Sequence, residues 1–353
     1  MKFGLFYLPT YLPAEKDAHT HLRNIVEQVQ FADRIGIDYV WMVEHHFVRH
    51  GGLCSSNYAF LSYLAACTKR IRLGTGATVL ALNDPVRAAE QGATLDQLSS
   101  GRFDLGIGRG FLKIEFEAFG VEMKESRERV EEGIELMKRA WTEPRLSFKG
   151  RFRAPIDDLS ILPPPFQKPH PPIWVACFLT PESFDWTAQQ GYELLYVAYH
   201  VDPAVAKERI GWYRDALKKH GRRVEDHQVC CCYHAHFLEK DDVPKLRSIV
   251  ERPMAEYSQA GAEAAKKAPD PVAYKGYAAR EEYHKQSGFE VYFPGRVLMG
   301  GPERAFERLK EMEDAGITQV SMIVDFGSLS QREIMRSLQV FADKILPRFT
   351  ARY

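Results

Sequence analysis

Glu44, His45 and His46 stand together immediately after a short apolar run at 39–43. An acid beside two imidazoles can take up and release a proton near neutral pH, since imidazole ordinarily titrates at about 6.5. The run before them is aromatic and β-branched and follows Gly36 and Asp38, the pattern of a buried strand. The triplet therefore falls at a strand's carboxyl end, where α/β proteins gather ligands and catalytic groups. The plainer reading is one core histidine and one surface histidine, and the other strand ends decide between the two.

Gly106-Ile107-Gly108-Arg109-Gly110 closes a second such run. Glycines let backbone amides approach an anion, and the arginine adds a fork for phosphate, a charge-assisted hydrogen bond worth about 1.5 to 3 kcal/mol. The spacing is neither the dinucleotide fingerprint nor a P-loop, and a plain tight turn is the alternative. Thr180-Pro181-Glu182-Ser183 opens a helix and offers N–H groups and hydroxyls at a positive dipole end. It reads either as a second phosphate contact or as an ordinary cap.

The elements that must position these groups are legible as alternation. Strand-like runs occur at 3–7, 39–43, 71–75, 103–107, 173–177, 194–198, 229–237 and 320–324, with amphipathic helical patterns between and after them. Leu22, Ile25, Val29 and Ala32 form one stripe ending at Gly36, and Val130, Ile134, Met137 and Trp141 form another. Asp84 before Pro85 marks a helix start, Ser330 and Glu333 have capping-box spacing, and Pro302 and Gly316 bracket a further helix. Eight strands each followed by a helix predict a closed (β/α)8 TIM barrel as one domain over 1–353. Two stretches interrupt the repeat: a proline-rich insertion at 145–172, expected as an irregular excursion over one barrel end, and a lid-like segment at 251–296. The barrel would bring to one mouth Leu8, Pro9, Glu44, His45, His46, Gly76, Ala77, Gly108, Arg109, Gly110, Phe178, Leu179, Thr180, Tyr199, His200, His236 and Asp325.

Composition narrows the function classes. Lys+Arg and Asp+Glu both number 47, so no basic field recruits nucleic acid or anionic lipid. No apolar run is long enough to span a membrane, and the first residues enter a strand without a cleavage pattern, so a cytoplasmic protein is expected. Six cysteines include Cys230-Cys231-Cys232, whose side chains alternate across a strand and read as buried reduced thiols. Adjacent histidines on extended backbone also point apart, and clustered carboxylates are few, so no metal site is expected.

In this setting the chain resembles the bacterial luciferase family of flavin-dependent monooxygenases. The matching residues are Met1-Lys2-Phe3-Gly4, the 41–47 block with Glu44-His45-His46-Phe47, Leu73-Gly74-Thr75, Asp84-Pro85-Val86-Arg87, and Leu95-Asp96-Gln97-Leu98 through Gly101-Arg102-Phe103. Gly106 to Gly110, Phe119-Gly120, Ser126-Arg127 and Asp314-Ala315-Gly316-Ile317 continue the match in order over nearly the whole chain. The resemblance implies a (β/α) barrel whose mouth binds reduced FMN, supplied by a separate flavin reductase, and uses molecular oxygen. It assigns the catalytic role to His45, with Glu44 placed to orient it, and the FMN phosphate to Arg109 between Gly108 and Gly110. The peptide joining Gly76 to Ala77 falls where the family has a non-prolyl cis bond against the flavin, and 251–296 falls where it has a mobile lid, whose closure keeps water from the reaction.

Two departures bear on function. Gly108 stands where luciferase has a reactive cysteine, and Cys177-Phe178-Leu179-Thr180 stands where it has an acidic residue and a serine, so light emission is not implied. The expected activity is oxygenation of an organic substrate, with an aldehyde, a ketone or a carrier-bound acyl chain as candidates. The alternatives are a deazaflavin-dependent dehydrogenase of the same superfamily and a non-catalytic flavin-binding protein. The resemblance also implies a homodimer, and the helix expected at 57–67 has a small apolar face compatible with packing.

Overall fold

The computed structural model describes residues 1–199, 201–265 and 288–350. Its sheet comprises β1 (Lys2–Tyr7), β2 (Tyr39–Met42), β3 (Arg72–Thr75), the two-residue β4 (Thr78–Val79), β5 (Phe103–Gly108), β8 (Ile173–Cys177), β9 (Glu193–Tyr196), β10 (Val229–Phe237), β11 (Leu298–Gly300) and β12 (Gln319–Ile323). Every pairing among these strands is parallel. The order β1-β2-β3-β5-β8-β9-β10-β12 returns to β1, which pairs with β12 through Lys2↔Gln319 to Leu5↔Met322. The ring is the closed eight-stranded barrel expected from the alternation, and all eight expected strands are in it.

Helices follow the strands in sequence: α1 (Ala18–Ile35), α2 (Asn57–Cys67), α3 (Pro85–Leu98), α4 (Lys113–Phe119), α5 (Ser126–Thr142), α6 (Pro181–Gln190), α7 (Pro203–Lys219) and α8 (Val243–Ala265), with later ones at Pro302–Asp314 and Gln331–Val340. Their ends form where capping chemistry allows. Asp17 accepts from the Thr20 amide, Asp84 from the Val86 and Arg87 amides, and Ser330 from the Glu333 amide. Gly36 closes α1 at φ 101°, a left-handed conformation that costs a side-chain-bearing residue more. Among the described residues no helix is long and apolar enough to cross a membrane.

The barrel floor is packed with aromatic rings. Trp41 meets Trp174 edge-on at 5.2 Å and stacks with Tyr39 at 5.8 Å, and Trp174 Nε1 donates to Asp104 Oδ1 at 3.0 Å. Gly74 makes room for this plug, since a Cβ there would lie 2.2 Å from Trp41 Cε3. A filled floor puts the barrel's room for ligands at its carboxyl-terminal mouth.

One expectation needs correction, and two further features accompany it. The 145–172 excursion is not wholly irregular: Leu146–Phe148 (β6) and Ile156–Leu159 (β7) form an antiparallel hairpin. Its return leg is pinned to the amino-terminal barrel end by Gln167, whose amide donates to Asp96 Oδ2 at 2.8 Å and whose Nε2 donates to the Phe103 carbonyl at 2.7 Å. The lid-like segment begins inside α8, which continues through Pro253 because Met254 and Tyr257 are buried on the barrel. Residues 266–287 of that segment lie outside the described residues. Finally β11, too short for a periodicity to register, adds a parallel strand beside the end of β10.

Candidate active site

β2 ends at Met42 and delivers Glu44, His45 and His46 to the mouth, as its position in the alternation requires. The pairing within the triplet differs from the expected one. Glu44 faces His46, with Oε1 3.2 Å from Nε2, and also accepts from the Val79 amide at 2.9 Å and from Asn83 Nδ2 at 2.9 Å. It does not orient His45, because alternate residues on an extended chain share a face and neighbours do not. The Glu44 hydrogen bond, against the opposing effect of burial, raises the His46 pKa.

His45 is held instead by Glu115 of α4. Glu115 Oε1 lies 3.1 Å from His45 Nδ1 and accepts from the His46 amide at 2.8 Å. Glu115 is fully buried, and the His45 ring also meets Phe111 edge-on at 5.4 Å. Sequence reasoning missed this carboxylate. The only local signal was an acid on the short helix that starts just after the Gly108 to Gly110 turn, and nothing in its spacing links it to residue 45.

That turn is the second part of the site. The Gly76–Ala77 peptide is cis. A Cβ built on Gly108 would lie 3.4 Å from Ala77 Cβ and 3.9 Å from Ala176 Cβ, so the three residues form a low, small-residue wall. Gly110 has φ 74° and sits against Val79 and Phe116, where a side chain has no room. Arg109 Nη2 donates to Ser126 Oγ at 3.0 Å, at the start of α5. The next residue, Arg127, reaches Ser183 Oγ at 3.5 Å, and Thr180 Oγ1 is 2.8 Å from the same hydroxyl. Arg109 and Thr180 thus stand at adjacent strand ends, with Ser126, Arg127 and Ser183 between them. Burial pushes the nearby Cys177 thiol up to about 12, so it is no nucleophile at neutral pH.

The far rim carries aromatic residues and neutral imidazoles. Tyr199, His234 and His236 are buried at the ends of β9 and β10, and the His234 ring meets those of Tyr199, Tyr257 and Phe326. Asp325 turns out of the mouth toward α1, where it binds Lys16 Nζ at 3.1 Å, His21 Nε2 at 3.2 Å and Gln28 Nε2 at 3.3 Å. His200 lies outside the described residues. Among the described residues no three His, Cys, Asp or Glu side chains are grouped to hold a metal ion. A surface hollow of about 570 Å³ is lined by Glu239, Asp241, Glu303, Lys344 and Arg348 among others. Its charges pair with their neighbours, as in Arg304–Asp241 at 2.6 Å and Arg348–Glu303 at 3.0 Å, and none of the residues expected at the mouth lines it.

Residues 1–319 match the family model for luciferase-like monooxygenases. The alkanal monooxygenase alpha chain of the Kryptophanaron alfredi symbiont is 26% identical over 98% of this chain and 97% of its own. The monooxygenase RslO1 from Streptomyces bottropensis superposes with a TM-score of 0.81 at 31% identity, over 99% of this chain and 100% of that one. The oxygenating constituent of 3,6-diketocamphane monooxygenase from Pseudomonas putida, a type II Baeyer-Villiger enzyme in complex with FMN, has a TM-score of 0.81 at 18% identity over 99% of each chain, which speaks to the fold alone.

Proposed function

We propose, for a chain that belongs to the luciferase-like family of flavin-dependent monooxygenases and is an oxidoreductase of that class, that it is the oxygenase half of a two-component system. In this reading it receives reduced FMN from a separate reductase and uses molecular oxygen to oxygenate an organic substrate, an aldehyde, ketone or carrier-bound acyl chain. The observation that carries it is Glu115: from the helix that opens just past the Gly108 to Gly110 turn, it grips His45 at the end of β2. One short helix thereby couples the candidate cofactor turn to the candidate proton-transfer group. The oxygenating constituent of the diketocamphane enzyme, seen in complex with FMN, shares this fold, which is in keeping with FMN as the cofactor proposed here.

The residues fit that cofactor. Gly108, Ala77 and Ala176 leave the flat space a tricyclic ring needs, and Arg109 with Ser126 supplies charged and neutral donors for a phosphate. When bound, reduced FMN supplies the electrons that activate oxygen. The protein's part is placement and proton handling. With Glu115 ionised, His45 Nδ1 donates to it, which leaves Nε2 to exchange a proton with the reacting group. Glu44 keeps His46, Val79 and Asn83 in place beside it. Homodimerisation and a cytoplasmic location complete the reading; the α2 face, where Tyr63 is exposed, is the surface offered for packing.

Anaerobic titration with reduced FMN and with a reduced deazaflavin, followed by admission of oxygen, tests the proposal. Reduced FMN should bind, and oxygen uptake should follow. His45→Ala should retain binding and lose product formation by about 100-fold, the scale of one acid–base group. Hydride transfer from the deazaflavin with no oxygen uptake would instead establish the dehydrogenase alternative.

A further inference from the structure

The ends of β2, β5 and β8 are taken by His45 and the proposed flavin contacts, whereas the rim between β9 and β12 carries a chemistry that reading leaves unused. β10 pairs with β12 only as far as His234↔Ile323, and its last three residues, 235–237, pair with β11. The strand therefore rises above the ring. Alternation puts Cys230, Cys232, His234 and His236 on one face. That face is the barrel interior, since Cys230 Sγ lies 3.3 Å from Ser321 Oγ, while Phe237 on the other face stacks on Phe341 of the helical layer at 5.3 Å.

His234 is delivered to the top of the interior and surrounded edge-on by Tyr257 at 4.7 Å, Tyr199 at 4.9 Å and Phe326 at 5.2 Å. His50 extends this wall, 4.7 Å from Tyr257, and the next residue, Gly51, backs onto the His45 ring, where a Cβ would lie 2.8 Å from Cδ2. The wall thus reaches from β10 round to the proposed proton-transfer group. Both ring nitrogens of His234, and Nδ1 of His236, are buried without a hydrogen-bond partner among the described residues. An unmet buried polar atom costs stability, and a phenylalanine would fill the same space without that cost. Burial pulls His234 down to about 3 and His236 to about 4, so each ring is neutral and offers one N–H and one bare nitrogen.

We propose that this rim is the substrate compartment and that it takes a neutral, planar aromatic molecule bearing a hydroxyl or carbonyl group, which hydrogen-bonds to His234 while Tyr199, Tyr257 and Phe326 pack against its ring. The proposal rests on the oxygenase reading of the same mouth and narrows its substrate class. Aromatic faces and edges favour a ring over an alkyl chain through their quadrupoles. A charged substrate would be desolvated here against rings that, among the described residues, bring no counter-charge to His234.

Fluorescence titration with 2-naphthol, naphthalene and octanal, with and without FMN, tests this. Wild-type protein should bind 2-naphthol about tenfold or more tightly than naphthalene, the scale of one buried hydrogen bond, and more tightly than octanal. His234→Phe should bring 2-naphthol to within about twofold of naphthalene with naphthalene binding held, and His234→Gln, which keeps a donor and an acceptor, should restore part of the preference. Octanal binding as tightly as 2-naphthol, or a preference that survives in His234→Phe, overturns the proposal, and the wild-type comparison decides alone should that variant not fold. Because these titrations need no turnover, absent FMN binding or oxygen uptake would overturn the oxygenase reading separately.

Discussion

Glu115 Oε1 lies 3.1 Å from His45 Nδ1, and the same oxygen takes the His46 amide at 2.8 Å. One buried carboxylate thus sets the orientation of the imidazole and the path of the backbone beside it. Glu115→Gln keeps an acceptor but replaces the carboxylate that grips the imidazole. Turnover is expected to fall by about 10- to 100-fold, with KM and the FMN Kd within about twofold of wild type. Steady-state kinetics and a flavin titration check this; loss of flavin binding in step with kcat would mark the residue as merely structural.

In the proposed function Arg109 meets the phosphate end of the flavin. Arg109→Ala should weaken FMN binding by about 10- to 100-fold, the range for one charge-assisted hydrogen bond, and leave riboflavin, which has no phosphate, within about threefold. Equal losses for the two ligands would remove the arginine from the phosphate.

Gly108 tests the small-residue wall. A methyl group there would meet Ala77 Cβ at 3.4 Å and Ala176 Cβ at 3.9 Å, which are ordinary contacts, so Gly108→Ala should fold and retain flavin. Gly108→Leu projects into the space assigned to the ring and should abolish flavin binding while the unfolding temperature stays near that of Gly108→Ala. Flavin bound normally by the leucine variant would place the ring elsewhere.

The Asp325 cluster predicts an acid-sensitive tie between α1 and the segment that follows β12. Burial alone would raise this carboxyl, but the His21 hydrogen bond and the Lys16 charge together outweigh it and bring it down from 3.8 to about 2. A depressed folded-state pKa stabilises the protein above the ordinary value, and that contribution is lost as pH falls from about 4 toward 2. Asp325→Asn should therefore cost about 3 kcal/mol at pH 7, a difference that shrinks through that window. A wild-type-to-variant gap in denaturation midpoint that is constant down to pH 2 would contradict the assignment.

Much of this architecture was legible because it repeats. The eight barrel strands are apolar runs with a period of their own, and Asp84, Ser330 and Gly36 carry capping chemistry that reads locally. The His45 and Arg109 motifs were legible as strand-end residues for the same reason. What escaped depends on closure in space. Glu115 is 70 residues from His45, so only the folded barrel reveals their contact. The Glu44–His46 pairing follows from which side of the chain each residue faces after the strand ends, which no motif specifies. The hairpin β6–β7 was hidden because Ile156–Leu159 is exposed along most of its length and lacks a buried stripe. His234 was hidden among the buried residues of β10, where an imidazole in an apolar strand reads as packing until its unmet nitrogens are seen.

A crystal structure of the protein with FMN bound would place both groups at once. The phosphate should lie within hydrogen-bond distance of Arg109 and Ser126, the ring along Gly76, Ala77 and Gly108, and His45 at the reacting edge. A flavin whose phosphate lies away from Arg109, or whose ring sits where His45 cannot reach it, would remove His45 and Arg109 from a shared site.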